Sequence, residues 1–265
     1  MKTVPSSVFK YVPRQRVDII LNERIAFTPP NRFKDEFDVS PQFKPVTDAT
    51  YLRKQAKEAQ RKHIKSLPRG QRPRSKQERR ELRAGAVENF RMQAQEFATH
   101  MEGQLQNKIS MEFGVLCLSE VHDEDLIWKE SANKHSGFVI EYETAHSSFQ
   151  EMGHLVQVDY VPCRPIYDPV KGAKGFWHQK LKEKFGYERE WRISRLLDRC
   201  EPSQVNAKTI YFCPLSRAAI KAIYLGLHSD NCLEGEIRHA LAKATPDIYR
   251  AHLDTGASKP SFQKL

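Results

Sequence analysis

The residue types best suited to chemistry lie in one short run, Tyr187-Glu188-Arg189-Glu190-Trp191-Arg192-Ile193. An extended strand alternates its side chains between two faces, so Glu188, Glu190 and Arg192 are predicted to share one face. Two carboxylates beside a guanidinium can hold ribose hydroxyls or face a developing positive charge. The alternative for this run is an edge strand whose solvent face is a salt-bridged ladder.

Length and composition narrow the class of protein. The 265 residues are enough for one sizeable core, and the apolar content of 39% is typical of a soluble, rather polar globular protein. No stretch approaches the roughly 18 apolar residues of a membrane helix, and Met1 to Arg16 lack the apolar core of a secretory signal. The five cysteines form neither a disulfide framework nor a zinc pattern. A reducing, bacterial-type cytoplasm is therefore expected, and nothing indicates a metal.

The net charge of +10 is concentrated in one segment. Between Tyr51 and Arg83 there are 13 Lys or Arg against three acidic residues, whereas the other 30 basic and 30 acidic residues cancel. The segment is consistent with a solvated helical hairpin, a docking element for an acidic protein, or a nucleic-acid or polyphosphate contact. Because it has few aromatic residues, a DNA or RNA partner would be held through phosphates rather than stacked bases. Four arginines are candidate contacts: Arg72, Arg74, Arg79 and Arg80.

Hydrophobic patterning predicts strands early and late in the chain, with helices clustered between them. The expected strands include Val8 to Tyr11, Val115 to Glu120, Gly137 to Tyr142, Leu155 to Val161 and Ile220 to Gly226, and no element is predicted after Asp247. A helix is expected from about Lys76 to Lys108, with Phe97 among the residues that pack on the core, and a basic helix from Lys171 to Lys184. This order predicts an α+β fold with a mixed or antiparallel sheet. The whole chain, 1–265, is expected to form a single domain, with a basic helical insertion at 51–108.

Several phrases together resemble the bacterial domain-of-unknown-function family twenty-nine seventy-one. The resemblance spans roughly positions 9 to 226 and is interrupted by the basic segment. The phrases are Phe9-Lys10-Tyr11; Asn22 to Phe27, followed by Phe33, Asp35 and Asp38; Cys117-Leu118-Ser119-Glu120; Trp128, with His135-Ser136-Gly137-Phe138 and Glu141; Tyr187 to Arg192; and Ile223-Tyr224-Leu225-Gly226.

The same layout is similar to an ADP-ribosyltransferase core. In such a core, a first strand supplies a basic residue, here Lys10 or Arg14, and a middle strand a small polar residue, here Ser119. A late strand supplies the catalytic glutamate, often within a Glu-x-Glu pair. The resemblance implies that NAD is the substrate and that its ADP-ribose is transferred to a macromolecule or to water. It also implies a toxin or anti-phage defence role, with an antitoxin as a possible partner.

The resemblance assigns roles to particular residues. Glu190 would stabilise the oxocarbenium-like transition state, and Glu188 would orient or deprotonate the acceptor. Arg192 or Lys10 would bind the pyrophosphate, and aromatic rings would stack on nicotinamide or adenine. The candidate cofactor-binding residues are Lys10, Tyr11, Phe33, Ser119, Trp128, His135 and Arg192.

Each candidate also has a structural interpretation. Trp128 suits core packing, and His135 suits a helix C-terminal cap. Ser119 would satisfy backbone groups, and Lys10 would be a surface lysine at a strand edge.

Two other functions are compatible with the sequence. One is a non-catalytic nucleic-acid-binding component of a defence or mobile-element locus. The other is a metal-dependent nuclease built from Asp35, Asp38, Glu188 and Glu190. The nuclease is the weaker alternative because the Glu-x-Glu-Trp-Arg run lacks the lysine of the common nuclease pattern and no histidine-rich metal cluster is present.

Overall fold

The computed structural model describes residues 3–35, 37–44, 49–167, 176–205, 207–255 and 259–265. The chain divides into two compact units. The first comprises Met1–Val39, Asn107–Arg164 and Trp177–Leu265, and the second Ser40–Gln106 and Pro165–Phe176. The predicted insertion at 51–108 falls in the second unit up to Gln106.

The first unit is built on a mixed eight-stranded sheet in the order β13-β12-β11-β4-β1-β3-β8-β5. Its neighbouring strands are antiparallel except for the parallel pair β11 and β12. The strands are β1 (Ser7–Val12), β3 (Phe113–Ser119), β4 (Phe138–Glu143), β5 (Val156–Gln157), β8 (Glu190–Leu196), β11 (Ile220–Leu225), β12 (Asp247–His252) and β13 (Ser261–Lys264). The protein is therefore an α+β protein.

The remaining described strands form two small sheets. A three-stranded antiparallel sheet has the order β2-β10-β9, and β6 pairs in parallel with β7. These strands are β2 (Arg24–Phe27), β6 (Asp159–Val161), β7 (Gln179–Leu181), β9 (Glu201–Val205) and β10 (Lys208–Pro214). The helices are α1 (Asp18–Leu21), α2 (Ala49–Ser66), α3 (Lys76–Glu112), α4 (Asp125–Ser131), α5 (Ser147–Gln150), α6 (Lys182–Phe185) and α7 (Asn231–Leu241).

The centre of the large sheet positions the predicted site. β3 pairs with β1 on one side and β8 on the other, with Ser119 opposite both Phe9 and Glu190. Apolar side chains of these strands, such as Val8, Leu116 and Ile193, are completely buried and anchor the three strands to the main core. Burial of this kind stabilises a fold by about 25 cal/mol per Å² of apolar surface. The strands predicted to carry Lys10, Ser119 and Glu190 are therefore neighbours.

Several elements differ from those expected. Leu155 to Val161 forms two strands in different sheets, β5 and β6, rather than one. The segment after Asp247, in which no element was predicted, supplies β12 and β13. Parallel pairing with β11 organises β12, and such long-range pairing depends on tertiary packing rather than local pattern.

The second unit contains α2 and α3 up to Gln106. Leu52, Ala56 and Gln60 recur every four residues and form the buried face of α2. Phe97 on α3 was expected to pack in the core, but 66% of its surface is exposed. Within the described part of the chain, no helix combines the length and apolar character needed to cross a membrane.

Candidate active site

A cleft of about 310 Å³ opens beside the first residues of β8. β1, β3, β7, β8 and the loop after β2 contribute side chains to its wall. The lining includes Lys10, Phe33, Asp38, Ser119, Lys180, Glu188 and Glu190. Ser119 and Glu190, on the neighbouring strands β3 and β8, therefore line the same cavity.

Lys180 is the centre of a carboxylate cluster in this cleft. Its Nζ lies 2.6 Å from Glu188 Oε2, 3.0 Å from Glu190 Oε2 and 3.5 Å from Asp38 Oδ2. The lysine side chain is only 9% exposed. Burial disfavours its charged form, but the nearby carboxylates outweigh burial and raise its pKa above the ordinary value. The Lys180 ammonium therefore contacts all three carboxylates directly and offsets the repulsion between their negative charges.

Arg192 fixes the same cluster from within the core. Its side chain is fully buried, and its Nε donates to Glu190 Oε1 at 2.7 Å. Its two terminal nitrogens donate to the two oxygens of Asp38 at 2.8 and 2.6 Å, and Nη1 also donates to the Trp177 carbonyl. The guanidinium is therefore buried and engaged on three sides. This is a correction of its predicted role as a pyrophosphate ligand: Arg192 positions Glu190 and Asp38.

The two glutamates have opposite ionisation behaviour. Burial alone would raise the pKa of Glu190, but Arg192 and Lys180 outweigh it and hold that pKa well below its ordinary value. Burial raises the pKa of Glu188 to about 7, with Lys180 opposing the shift and Glu190 adding to it. Glu190 is thus favoured in its ionised form at neutral pH, whereas Glu188 can exchange a proton near neutral pH. Such a divergence of two neighbouring carboxyl groups is typical of acid–base pairs.

The local backbone differs from the continuous strand that alternation predicted. Gly186–Glu188 form a 3-10 turn, and β8 begins only at Glu190. Between them Arg189 has a left-handed conformation with φ of 41°, which is uncommon for a residue with a side chain. Glu188 therefore reaches Lys180 from a turn, while Glu190 and Arg192 share a strand face as expected.

Lys180 itself was missed by sequence reasoning. It was placed in a basic helix from Lys171 to Lys184, whereas it lies on the three-residue strand β7, and the part of that helix at 171–175 lies outside the described residues. Covariation with positions 38, 188 and 190 among relatives is the kind of signal that could have identified it.

Three candidate ligand contacts lie in the cleft wall. Lys10 Nζ donates to the Cys117 carbonyl at 2.8 Å, and burial lowers the pKa of the lysine. The Phe33 ring is half-buried in the loop that borders the cleft. Tyr11 is 7% exposed and donates its hydroxyl to the Val121 carbonyl at 3.0 Å, so its polar end is already occupied.

Ser119 lies at the cleft but has structural partners. Its hydroxyl donates to the Glu188 carbonyl at 2.8 Å and accepts from the Val121 amide at 3.1 Å. These bonds tie the end of β3 to the turn that carries Glu188. The serine therefore positions the glutamate rather than presenting a free hydroxyl.

Trp128 and His135 were expected to contact the cofactor, but the structure places neither of them in the cleft wall. Trp128 is fully buried, and its indole nitrogen donates to the His122 carbonyl at 2.7 Å. His135 is 5% exposed, stacks on Trp128 with ring centroids 5.3 Å apart, and pairs with Asp125 at 2.9 Å. The two rings therefore form a stacked pair in the core, and Asp125 pairs with the histidine ring.

The four arginines predicted to contact nucleic acid are all exposed. Arg72 and Arg79 donate to backbone carbonyls around the turn between α2 and α3, at distances of 3.0 to 3.4 Å. Arg74 lies in the same connection, and Arg80 lines a separate basic groove in the second unit.

The four carboxylates of the nuclease alternative all line the cleft: Asp35, Asp38, Glu188 and Glu190. Lys180 of β7 also lines the cleft, although the Glu-x-Glu-Trp-Arg run itself contains no lysine. Its ammonium occupies the space among Asp38, Glu188 and Glu190 that a shared cation would need. Among the described residues, no three histidine, cysteine or acidic side chains are grouped so that they could hold a metal ion.

No protein-family model, curated protein or solved structure matches this chain. The resemblance to the domain-of-unknown-function family therefore stays a prediction that rests on short sequence phrases.

Proposed function

We propose that the cleft beside Glu188 and Glu190 binds NAD and cleaves its nicotinamide–ribose bond, transferring ADP-ribose to a macromolecule or to water. The observation that carries the proposal is the placement of two carboxylates of different exposure, Glu188 and Glu190, in the wall of one cleft. Burial raises the pKa of Glu188 to about 7, whereas Arg192 and Lys180 lower the pKa of Glu190 against the effect of burial. Both groups lie within hydrogen-bond distance of the same ammonium. The adjacency of β1, β3 and β8 supports an ADP-ribosyltransferase-like layout.

The ionised Glu190 suits the charge that develops in the reaction. The C1′–nitrogen bond breaks with its electron pair leaving on nicotinamide, and the ribose acquires oxocarbenium character. A fixed carboxylate facing that charge stabilises the transition state more than the neutral ribose ring. Lys180 and Arg192 reduce the net negative charge near Glu190, but they also favour its ionised form and hold it in one orientation.

Glu188 suits the proton transfer. The acceptor oxygen or nitrogen forms the new bond to C1′, and its proton passes to the Glu188 carboxylate. A base is most effective when its pKa lies near the working pH. The Glu188 side chain is 22% exposed, compared with 5% for Glu190, so an acceptor can reach it from solvent.

The walls of the cleft suit a nucleotide. Lys10 makes one hydrogen bond to a described residue, so its ammonium has further donors for a pyrophosphate. Phe33 offers an aromatic face for nicotinamide. A volume of about 310 Å³ is at the lower end of ligand sites, roughly 300–1,000 Å³, so part of NAD would extend beyond the mouth.

The binding half of this proposal is tested by calorimetric titration with a non-cleavable NAD analogue. Replacing Lys10 by Met should weaken binding about tenfold or more, because a charge-assisted contact contributes roughly 1.5–3 kcal/mol. The exposed Lys182→Met variant is the matched control and should bind like the parent chain. Equal affinity in all three proteins, or no binding by a folded parent chain, would exclude the assigned pocket.

A further inference from the structure

The second unit carries a charge pattern that the proposed transfer reaction does not use. Arg53, Lys57, Arg61 and Lys65 recur every four residues along α2, so they form one stripe on the helix surface. All four side chains are exposed, and the stripe lies beside the buried face of α2. At a rise of about 1.5 Å per residue it extends over about 18 Å.

The stripe is not explained by helix stability. Like charges four residues apart destabilise a helix. Glu58 lies four residues from Lys54 and Lys62 and three residues from Arg61 of the stripe, yet it forms no ion pair with Arg61 among the described contacts. Among the described residues, no ion pair compensates any member of the stripe. A row of four uncompensated cations is therefore a feature that a polyanion would stabilise.

A groove between α2 and α3 extends this positive surface. It has a volume of about 560 Å³ and five basic residues in its wall: Arg53, Lys54, Lys57, Arg80 and Arg83. Ala84 and Val87 are its apolar members. Among the described residues, neither a carboxylate nor an aromatic ring lines this groove.

A buried amide gives the groove a defined shape. Gln60 is 4% exposed, and its amide nitrogen donates to the Arg79 carbonyl on α3. Its amide oxygen accepts from Arg83 Nε at 3.0 Å. Gln60 thereby links the two helices and holds the Arg83 guanidinium in place, because a buried amide is costly unless it is hydrogen-bonded.

We propose that this groove and the α2 stripe form a binding surface for the phosphate backbone of duplex DNA. Duplex DNA carries one negative charge per about 1.7 Å of its axis. A surface whose polar side chains are Lys and Arg can therefore bind it through the phosphates. Single strands are usually held by aromatic stacking, and RNA duplexes through their 2′-hydroxyls as well as their phosphates. The described lining of the groove has no aromatic ring and, apart from Ala84 and Val87, consists of cations, which suits phosphates.

The test is a salt titration of binding to a random-sequence duplex of about 20 base pairs. With seven phosphate contacts, from the stripe plus Lys54, Arg80 and Arg83, the dissociation constant should rise about 6,000-fold between 50 and 200 mM salt. Replacing the stripe residues Arg53, Lys57, Arg61 and Lys65 by Gln should leave three contacts and a rise of only about 40-fold. The variant should keep its helicity by circular dichroism, because the substitutions remove like-charge repulsion.

The matched control removes the same net charge from exposed residues of the first unit: Lys134→Gln, Arg199→Gln, Lys208→Gln and Lys243→Gln. It should retain the steep salt dependence of the parent chain. Equal loss in both variants would show a net-charge effect and overturn the assignment. Failure of the parent chain to bind, or tighter binding to an RNA duplex or a poly-glutamate chain, would overturn it as well. None of these results depends on NAD cleavage, so this proposal can fail independently of the first.

Discussion

Asp38 accepts two hydrogen bonds from Arg192, at 2.8 and 2.6 Å, although 154 residues separate them in the sequence. The pair fastens the loop after β2 to the buried face of β8. Arg192 also holds Glu190, so one guanidinium sets the position of both the loop and the proposed catalytic carboxylate. The buried pair is thus a positioning device for the cleft.

Replacing Asp38 by Asn should destabilise the protein strongly. The change leaves the buried Arg192 with one fewer counter-charge, and breaking a buried ion pair costs about 3–5 kcal/mol. Urea unfolding at pH 7 measures the difference. The exposed Asp198→Asn variant should remain within about 0.5 kcal/mol of the parent chain. A similarly small effect for Asp38→Asn would show that the pair does not hold the loop.

Glu188 should make the protein less stable as the pH rises from about 4.5 to about 7. Its folded-state pKa is raised from the ordinary 4.5 to about 7, so the unfolded chain releases this proton first and is favoured across that window. Glu190 acts oppositely: its lowered pKa contributes stability that is lost as the pH falls below 4.5.

Thermal unfolding of the parent chain and of Glu188→Gln across pH 4 to 8 separates these contributions. The variant should gain stability relative to the parent chain between about pH 4.5 and 7. The exposed Glu183→Gln variant should show no such gain. A parallel pH dependence for Glu188→Gln and the parent chain would mean that the carboxyl group of Glu188 titrates at an ordinary pKa.

Lys180 should set the pH at which Glu188 acts. Removing its ammonium by Lys180→Met takes away the main influence that lowers the pKa of Glu188, so that pKa should rise above about 7. The ascending limb of the pH–rate profile for nicotinamide release should then move to higher pH. The Lys182→Met control should keep the parent profile, and an unmoved limb in Lys180→Met would separate the lysine from the proton transfer.

Removal of divalent metal distinguishes the proposed reaction from the nuclease alternative. The proposed transfer depends on carboxylates and the Lys180 ammonium, so nicotinamide release should persist in excess chelator. Loss of activity in chelator and its recovery with Mg²⁺ would favour a metal-dependent reaction at Asp35, Asp38, Glu188 and Glu190.

Local patterning predicted the centre of the sheet well. β1, β3, β4 and β11 are short runs rich in β-branched, aromatic and other apolar residues, and each lies within a few residues of the predicted position. Their buried apolar side chains lie in the main core or in the second cluster around Trp128, so the hydrophobic pattern and the packing agree. The proximity of Lys10, Ser119, Glu188 and Glu190 follows from this order of strands.

The details of the site depend on contacts that no local pattern encodes. β7 has only three residues, and its position depends on pairing with β6. The strand expected to run through Glu188, Glu190 and Arg192 is interrupted at Arg189. Its left-handed backbone replaces the regular alternation of side chains with a turn. Arg192 was expected to be free for a ligand because the ADP-ribosyltransferase-like layout calls for a basic residue at the pyrophosphate, and only the approach of Asp38 shows why a guanidinium can be buried there.

The central claim is tested most directly by nicotinamide release from NAD at pH 7. The parent chain should release nicotinamide, and Glu188→Gln should reduce the rate by about 10²–10⁴-fold because it removes the general base while leaving Arg192 paired. Glu183→Gln, the matched control, should retain the parent rate. An unchanged rate in Glu188→Gln, or no release above the uncatalysed background by the folded parent chain, would contradict the account.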